Sequence, residues 1–431
     1  MNLEIQIIAF ASLVYWKEAE RAKEYVKQLQ DNLGLEAEIK LVRSHDDLAV
    51  IVSDLPETKK NMAVFIPLSG GIQPLMLAAQ KSFEFIGLFN AYLGDDYLSR
   101  QLIILNAHPS CTDFYAWCRM NRQDVFWLSS EVAFKDLLRA WKASCKFTGS
   151  TILKIGETEP WVINSCREPQ EFAKCLNIKV ILIDSERFYA RVNEVSDDRV
   201  AEIAEDWQKN AVEVAGVDRD RIFNACRVYI AISDLMKKYN ACGVSLACFA
   251  MAKDMQTTGC LALSMLNASQ DFVGACEGDL EAAVSLLLMK NLGNDFVWVA
   301  NPIIRDNGIV DLVHCTAPCA QMLYKLLPHH ETGCSVATEV DLPGDETMSL
   351  MRIGNKLRNM VCHVGTSSKI SKLPSCHTQI RIKVKSSEDL LENLMGTHFI
   401  AVYGDQRNAL AYCSAFTGIN FYGDSVDMPQ E

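Results

Sequence analysis

The chain has 431 residues, of which 49% are hydrophobic and 22% are charged, a composition typical of folded globular proteins rather than disordered ones. We expect two or three domains at this length, because one hydrophobic core seldom organises more than about 250–300 residues. The formal net charge of -12 argues against a nucleic-acid partner, since Lys and Arg must neutralise its phosphates. A small-molecule substrate is the better expectation.

The apolar segments and the cysteines favour a soluble, cytoplasmic protein with no membrane partner. No stretch reaches the roughly 18 apolar residues of a spanning helix, and the apolar segment 5–16 runs directly into charged residues, unlike a signal peptide. The 16 cysteines are scattered through apolar segments without a C-x-x-C pair or a regular framework. They are therefore predicted to be buried thiols, without disulfides or structural zinc.

The first 148 residues alternate between patterns of strands and helices. Strand patterns fall at 3–9, 36–42, 62–67, 101–106 and 124–128, and the segment 17–33 is an amphipathic helix. Alternation of this kind is typical of a doubly wound parallel sheet. We therefore predict an N-terminal α/β domain over residues 1–148.

Two further domains are expected after this point. Strand patterns at 150–155 and 178–183, followed by the helical region 197–238, predict a second doubly wound α/β domain over 149–326. Shorter strands with turn residues follow, at 335–341, 347–353 and 378–384. The predicted fold is thus two parallel-sheet domains followed by a C-terminal antiparallel, barrel-like β domain over 327–431.

The most informative segment runs from 271 to 318. It is predicted to contain strand 272–276, a helix with Asp279 as N-cap and Gly293 just past its end, and strand 296–300. If the two strands are parallel, Glu277 and Asn301 emerge at their carboxyl ends, where α/β sheets usually bind ligands.

A hairpin is predicted directly after Asn301. Asn307-Gly308 is a strong signal for a two-residue turn, and counting back from it pairs Asn301 with His314. Glu277, Asn301 and His314 are therefore predicted to converge.

Five short motifs carry a family resemblance. They are Cys276-Glu277-Gly278-Asp279, Ala300-Asn301-Pro302, His314-Cys315-Thr316-Ala317-Pro318, Cys376-His377-Thr378-Gln379, and Gly396-Thr397-His398 leading to Tyr403-Gly404-Asp405. In this order and spacing the chain resembles the L-fucose and L-arabinose isomerase family, most strongly between residues 200 and 425.

The resemblance implies a metal-dependent aldose-ketose isomerase that acts on a sugar. It implies a divalent cation, Mn²⁺ or Mg²⁺, held by Glu277, Asn301 and His398, with Glu277 and Asn301 also the catalytic residues. His314 and Asp279 are assigned to orienting a metal ligand or contacting substrate. A homo-oligomer, trimer or hexamer, is implied as well.

Asn301 departs from the family, whose sugar isomerases carry an acid at this position. An amide oxygen can bind a cation, but it cannot exchange a proton. Asp279, Asp306 and Asp311 are the alternative bases. Two other functions stay open: isomerisation of a sulfonated sugar such as sulfoquinovose, and non-catalytic sugar binding.

Other side chains are assigned no role in the site. His329 and His330 are predicted to lie in a solvated linker. Trp16, Trp117 and Trp298 are expected to pack in the core, which is the usual place of isolated aromatic residues.

Overall fold

The structure is a computed structural model that describes residues 5–55, 61–90, 106–319 and 322–423. Its chain divides into two compact units, Met1–Trp141 and Lys142–Glu431. Among the helices in the described ranges, none combines the length and the apolar character needed to cross a lipid bilayer.

The first unit is built on a five-stranded parallel sheet. Its strands are β1 (Gln6–Phe10), β2 (Ile39–Val42), β3 (Met62–Pro67), β4 (Phe85–Phe89) and β5 (Asp124–Leu128). Its helices are α1 (Ala19–Leu33), α2 (His45–Ser53), α3 (Gln73–Ala79) and α4 (Ala107–Met120), with a 3-10 turn at Gln80–Ser82. Helix α5 (Glu131–Phe147) begins in this unit and continues past its last residue, Trp141. The order β2-β1-β3-β4-β5 is a doubly wound one, and the predicted α/β class is confirmed. Residues 101–105 of the strand predicted at 101–106 lie outside the described residues.

The second unit begins with a four-stranded parallel sheet. Its strands are β6 (Thr151–Ile155), β7 (Lys179–Ile183), β9 (Gly243–Leu246) and β10 (Val273–Cys276), in the order β10-β9-β6-β7. The helices along this part are α6 (Pro169–Leu176), α7 (Ser185–Glu194), α8 (Asp197–Asn210), α9 (Arg219–Tyr239), α10 (Cys248–Met255), α11 (Cys260–Asn267) and α12 (Leu280–Asn291). A second parallel sheet is thereby confirmed.

A closed antiparallel barrel of six strands completes the second unit. Its strands are β11 (Trp298–Ile304), β12 (Ile309–His314), β15 (Thr347–Gly354), β16 (Asn359–Ser368), β17 (Thr378–Val384) and β18 (Phe399–Tyr403). The order is β15-β18-β11-β12-β17-β16, and pairing of β15 with β16 closes the barrel. The predicted antiparallel, barrel-like character is confirmed, but β11 and β12 precede the predicted start of this domain at 327, and the longest strand, β16, was not predicted.

Smaller elements surround the barrel. A three-stranded sheet joins β8 (Glu213–Val214), β13 (Tyr324–Leu327) and β14 (Ala337–Val340), while β19 (Asn420–Gly423) adds to β16. The remaining helices are α13 (Ser387–Glu392) and α14 (Arg407–Thr417).

Helix α12 joins the parallel sheet of the second unit to the barrel. Every residue from Leu280 to Lys290 is buried, and the helix packs against β9 and β10 as well as β15 and β18. A helix that is apolar on all sides requires this kind of enclosure. Both ends follow the sequence prediction, because Asp279 is the N-cap and Gly293 has a left-handed φ of 86°.

The predicted parallel pairing of the strand after α12 is wrong. Strand β11 pairs antiparallel with β12 on one side and with β18 on the other, so neither edge is available to β10. The turn after Ile304 is the physical reason, since it folds β12 back onto β11 and commits both strands to the barrel.

The predicted register of this hairpin is also wrong, by one residue. Asn301 pairs with Val313 rather than His314, because the loop has three residues, of which Asn307 and Gly308 have φ of 61° and 70°. The loop is anchored from outside the hairpin: the Gly308 N–H donates to Ser387 Oγ at 2.7 Å. Sequence logic local to the hairpin could not include that contact.

Gly308→Ala should destabilise the protein more than Gly293→Ala. Both glycines have positive φ, which costs Ala about 1–2 kcal/mol. A Cβ at residue 308 would also overlap the carbonyl oxygen of Val384, whereas a Cβ at residue 293 would meet no atom within 4 Å. We expect a further loss of roughly 1–3 kcal/mol at 308. Urea unfolding measures both variants, and equal losses would show that β17 does not hold the hairpin.

Candidate active site

A strained turn places Glu277 at the carboxyl end of β10. Glu277 and Gly278 have consecutive left-handed φ values of 61° and 66°, and a Cβ on Gly278 would lie 2.7 Å from Thr158 Cα. The turn is held by the neighbouring loop, because Glu159 N–H donates to Glu277 O at 3.0 Å and Thr158 Oγ1 donates to Gly278 O at 2.9 Å. Left-handed non-glycine residues cost about 1–3 kcal/mol and cluster at functional sites.

Asp279 is fully buried and fully bonded. Its Oδ1 accepts hydrogen bonds from Ser165 Oγ at 2.7 Å and from the Ala282 N–H at 2.9 Å. Its Oδ2 accepts from both terminal nitrogens of Arg352 at 3.2 Å and lies 2.8 Å from His398 Nδ1. Burial would raise the pKa of Asp279, but Arg352 and His398 hold it far below its ordinary range. The group is therefore a permanent anion.

His398 is oriented by that anion and directed at Glu277. With Nδ1 on Asp279, the buried Nε2 has no hydrogen-bond partner among the described residues and lies 3.8 Å from Glu277 Oε1. Arg352 fixes the backbone as well, donating to His398 O at 2.6 Å. Burial alone would lower the pKa of His398, but the two carboxylates outweigh it and raise the pKa to about 9.

Glu277 is ionised at neutral pH. Burial would raise its pKa, but the charge of His398 and the hydrogen bond from Trp161 Nε1 to Oε2, 2.8 Å long, bring the pKa below its ordinary value. One oxygen of the carboxylate is thus held by Trp161, while the other faces His398.

Asn301 and His314 line the same small cavity as Glu277. The amide oxygen of Asn301 accepts a weak hydrogen bond from Thr397 Oγ1 at 3.4 Å. His314 Nδ1 lies 3.2 Å from Thr316 Oγ1, and its ring is 5.6 Å from that of His398. Burial lowers the pKa of His314 to about 3, so this imidazole is neutral.

The cavity has room for an ion or a water molecule but not for a sugar ring. Its volume is about 30 Å³, close to the share of one water molecule in the liquid. A wider groove of about 290 Å³ is lined by Trp161 and by Thr397, the residues that bond Glu277 and Asn301. Ligand pockets have volumes of roughly 300 Å³ and above, so this groove is close to the size of a small ligand pocket.

Two groups of side chains in the described part of the chain could hold a metal ion. They are Cys276, Glu277 and His314, and Cys260, Cys315 and His329; within each group the ligand atoms lie within 4.8 Å of one another. Of the predicted set, Glu277 and Asn301 line the cavity together, and His398 Nε2 lies 3.8 Å from Glu277 Oε1. His398 Nε2 has no hydrogen bond among the described residues and faces the Glu277 carboxylate, while Nδ1 is oriented by Asp279 in the way that is typical of metal-binding histidines.

The alternative bases are engaged elsewhere. Asp311 is buried in ion pairs with Arg305 and Arg381, each at 2.6 Å, and Asp279 is held as described above. Asp306 lies in the exposed hairpin loop. Among the described residues that line the cavity, Glu331 is the one carboxylate besides Glu277.

Several important residues were missed or misjudged in the sequence. Trp161 and Arg352 reach the site from loops and strands distant in the chain, and neither stands in a motif. The prediction that His329 lies in a solvated linker is wrong, because its side chain is buried, with 4% of the residue exposed. Its ring packs edge-on against that of Phe249.

Glu281 is a second buried carboxylate behind the site. Its residue is fully buried, neither oxygen has a hydrogen-bond partner among the described residues, and Oε2 lies 3.6 Å from Arg352. Burial raises the pKa of Glu281 to about 7, with Arg352 opposing and Asp279 reinforcing the shift.

No protein-family model matches the chain, and a search of curated proteins finds no significant match. The assignment of function therefore depends on the residues and their geometry.

Glu281→Gln should stabilise the protein at alkaline pH. The folded state binds the Glu281 proton more tightly than the unfolded state, so the free energy of unfolding falls as pH rises from about 4.5 to about 7. Gln removes this loss, and the variant should gain about 2–3 kcal/mol over wild type on going from pH 5 to pH 8.

Urea unfolding at the two pH values measures the gain. Glu186→Gln is the matched control, because Glu186 is also the second residue of a helix with an aspartate N-cap but is exposed. A gain for Glu281→Gln that does not change with pH would contradict the raised pKa.

Proposed function

We propose that the protein is a metal-dependent aldose-ketose isomerase. The observation that carries the proposal is the pairing of His398 with Glu277: a buried, unpartnered imidazole nitrogen, oriented by Asp279, lies 3.8 Å from an ionised carboxylate. Metal-binding histidines characteristically donate their other nitrogen to a carboxylate in this way. The resemblance to the L-fucose isomerase motifs supports the same assignment.

The proposed ligands are Glu277, Asn301 and His398, with a hard divalent cation such as Mn²⁺. Two oxygen donors and one imidazole suit Mn²⁺ or Mg²⁺ better than a thiolate-rich set would. When bound, the ion polarises the sugar carbonyl and stabilises negative charge on the neighbouring oxygens.

Glu277 is the proposed proton carrier between the two sugar carbons. Its lowered pKa keeps it ionised and able to accept a proton, and the hydrogen bond from Trp161 fixes its orientation. Asp279 does not exchange protons; it orients His398. Since Asn301 cannot act as a base, Glu277 is the one carboxylate to which we assign proton transfer.

A sulfonated sugar is disfavoured as substrate. A sulfonate needs a cationic partner, and Arg352 is the only Lys or Arg among the described residues that line the cavity and the groove. Arg352 is buried and already engaged by Asp279 and Glu281. An uncharged sugar is the better candidate.

Asn301 favours a second candidate, a sugar-binding protein of the same fold without catalysis. The test is a panel of uncharged and sulfonated aldoses incubated in deuterated water with Mn²⁺. An isomerase gives ketose product, with deuterium incorporated at the carbon that exchanges its proton. Binding without product or deuterium would support the sugar-binding alternative and contradict isomerisation.

Glu277→Gln should abolish isomerisation and weaken metal binding. It removes both a charged ligand and the proposed base, and loss of a positioned base typically costs about two to four orders of magnitude in rate. Turnover and Mn²⁺ affinity are the measurements. Glu157→Gln, at an exposed glutamate in the loop after β6, is the control; wild-type turnover by Glu277→Gln would refute the assignment.

Asn301→Asp should bind Mn²⁺ more tightly than wild type does. The wild-type protein should itself show measurable turnover. The new carboxylate adds a negative charge beside Glu277, which favours a bound cation and raises the pKa of its neighbour when the metal is absent. Calorimetric titration and turnover assays compare the variant with Asn359→Asp, a substitution on another barrel strand. An inert wild type that Asn301→Asp activates would identify the natural protein as a binder.

A further inference from the structure

Three cysteines and one histidine meet on the other side of the same cavity. Cys260 begins α11, Cys315 follows β12, His329 follows β13, and Cys376 precedes β17. We call these four residues the thiol cluster. None of them belongs to the proposed ligand set of the isomerase site, and the cysteines are separated by 55 or more residues in the chain.

The ligand atoms of Cys260, Cys315 and His329 lie close enough to surround one ion, although the two sulfurs would have to move apart on binding. Cys315 Sγ lies 3.2 Å from Cys260 Sγ, and the ligand atoms of Cys260, Cys315 and His329 all lie within 4.8 Å of one another. Cys376 packs against the two buried cysteines. Sulfur ligands about 2.3 Å from a shared zinc ion are separated by roughly 4 Å in a tetrahedral site.

The histidine is oriented as a metal ligand would be. His329 Nδ1 lies 2.9 Å from Thr332 Oγ1, so Nε2, which also lies 4.0 Å from Glu331 Oε2, is the nitrogen available to the cluster. The loop that carries it is closed by the Gly333 N–H, which donates to His329 O at 2.8 Å, and anchored by Arg221, which donates to Gly333 O at 3.1 Å. Such outer contacts fix the ring of a ligating histidine.

We propose that the thiol cluster is a zinc site of the Cys₃His type. Four sulfur and nitrogen ligands complete a tetrahedral shell, which is the arrangement of structural rather than catalytic zinc. The ion would join α11, the end of β12 and the loops before β14 and β17 at one point. Because His314 directly precedes Cys315, the same ion would also fix the wall of the proposed active site.

The chemistry of the two sites keeps their metals apart. Thiolates select zinc and similar soft cations, whereas the carboxylate and amide oxygens at Glu277 and Asn301 favour Mn²⁺ or Mg²⁺. The zinc proposal does not depend on isomerase activity, and its failure would leave the proposed function untouched.

The first test is metal content and cobalt substitution of the full-length chain. The protein as purified under reducing conditions should contain about one zinc ion per chain. Replacement of zinc by Co²⁺ should produce the near-ultraviolet absorption of thiolate-to-cobalt charge transfer. Absence of both zinc and the charge-transfer band from folded wild type would overturn the proposal.

The second test uses variants. Cys260→Ser and Cys315→Ser should lose the zinc and the charge-transfer band, while Cys226→Ser, at a buried cysteine of α9, should keep both. Glu277→Gln should also keep them, which separates this site from the isomerase site. Retention of zinc and band by Cys260→Ser would overturn the proposal.

A chelator experiment on wild type covers variants that fail to fold. Removing a structural zinc lowers the melting temperature, and adding zinc back restores it. No change in melting on removal and return of zinc would count against a structural ion at the thiol cluster.

Discussion

The site depends on one buried anion, the carboxylate of Asp279 at the start of α12. Removing one partner from a buried ion pair typically costs about 3–5 kcal/mol, so Arg352 and Asp279 need each other. The same carboxylate also accepts the amide of the first helical turn and orients His398. This one carboxylate thereby fixes the start of α12, Arg352 on β15 and the candidate ligand His398. Glu277, two residues earlier in the chain, is held in position relative to all three.

Enclosure of α12 explains how two kinds of sheet contribute to one site. The parallel sheet supplies Glu277 at the end of β10, and the barrel supplies His398 just before β18 and Arg352 on β15. Because α12 is buried on all sides, neither sheet can shift without exposing apolar surface. The strained turn at Glu277 is held against this rigid frame, as pre-organised sites require.

Sequence patterns predicted what is decided locally and failed where distant contacts decide. The N-cap Asp279, Gly293 and the parallel sheets follow from signals within a few residues. The hairpin register depends on Ser387, which lies outside the hairpin, so it could not be obtained from the segment itself. Trp161 lies 116 residues from Glu277, and Arg352 lies 73 residues from Asp279. The thiol cluster was not predicted for the same reason, because the spacing of its residues along the chain matches no zinc motif.

The central claim is that His398 and Glu277 share a metal ion, and electron spin-echo spectroscopy of the Mn²⁺-loaded protein tests it most directly. A directly bound imidazole nitrogen modulates the manganese echo. The account predicts this modulation in wild type and in His314→Gln, whose imidazole lines the cavity beside Glu277, and its loss in His398→Gln. Modulation that survives in His398→Gln, or that is missing from Mn²⁺-loaded wild type, would contradict the account.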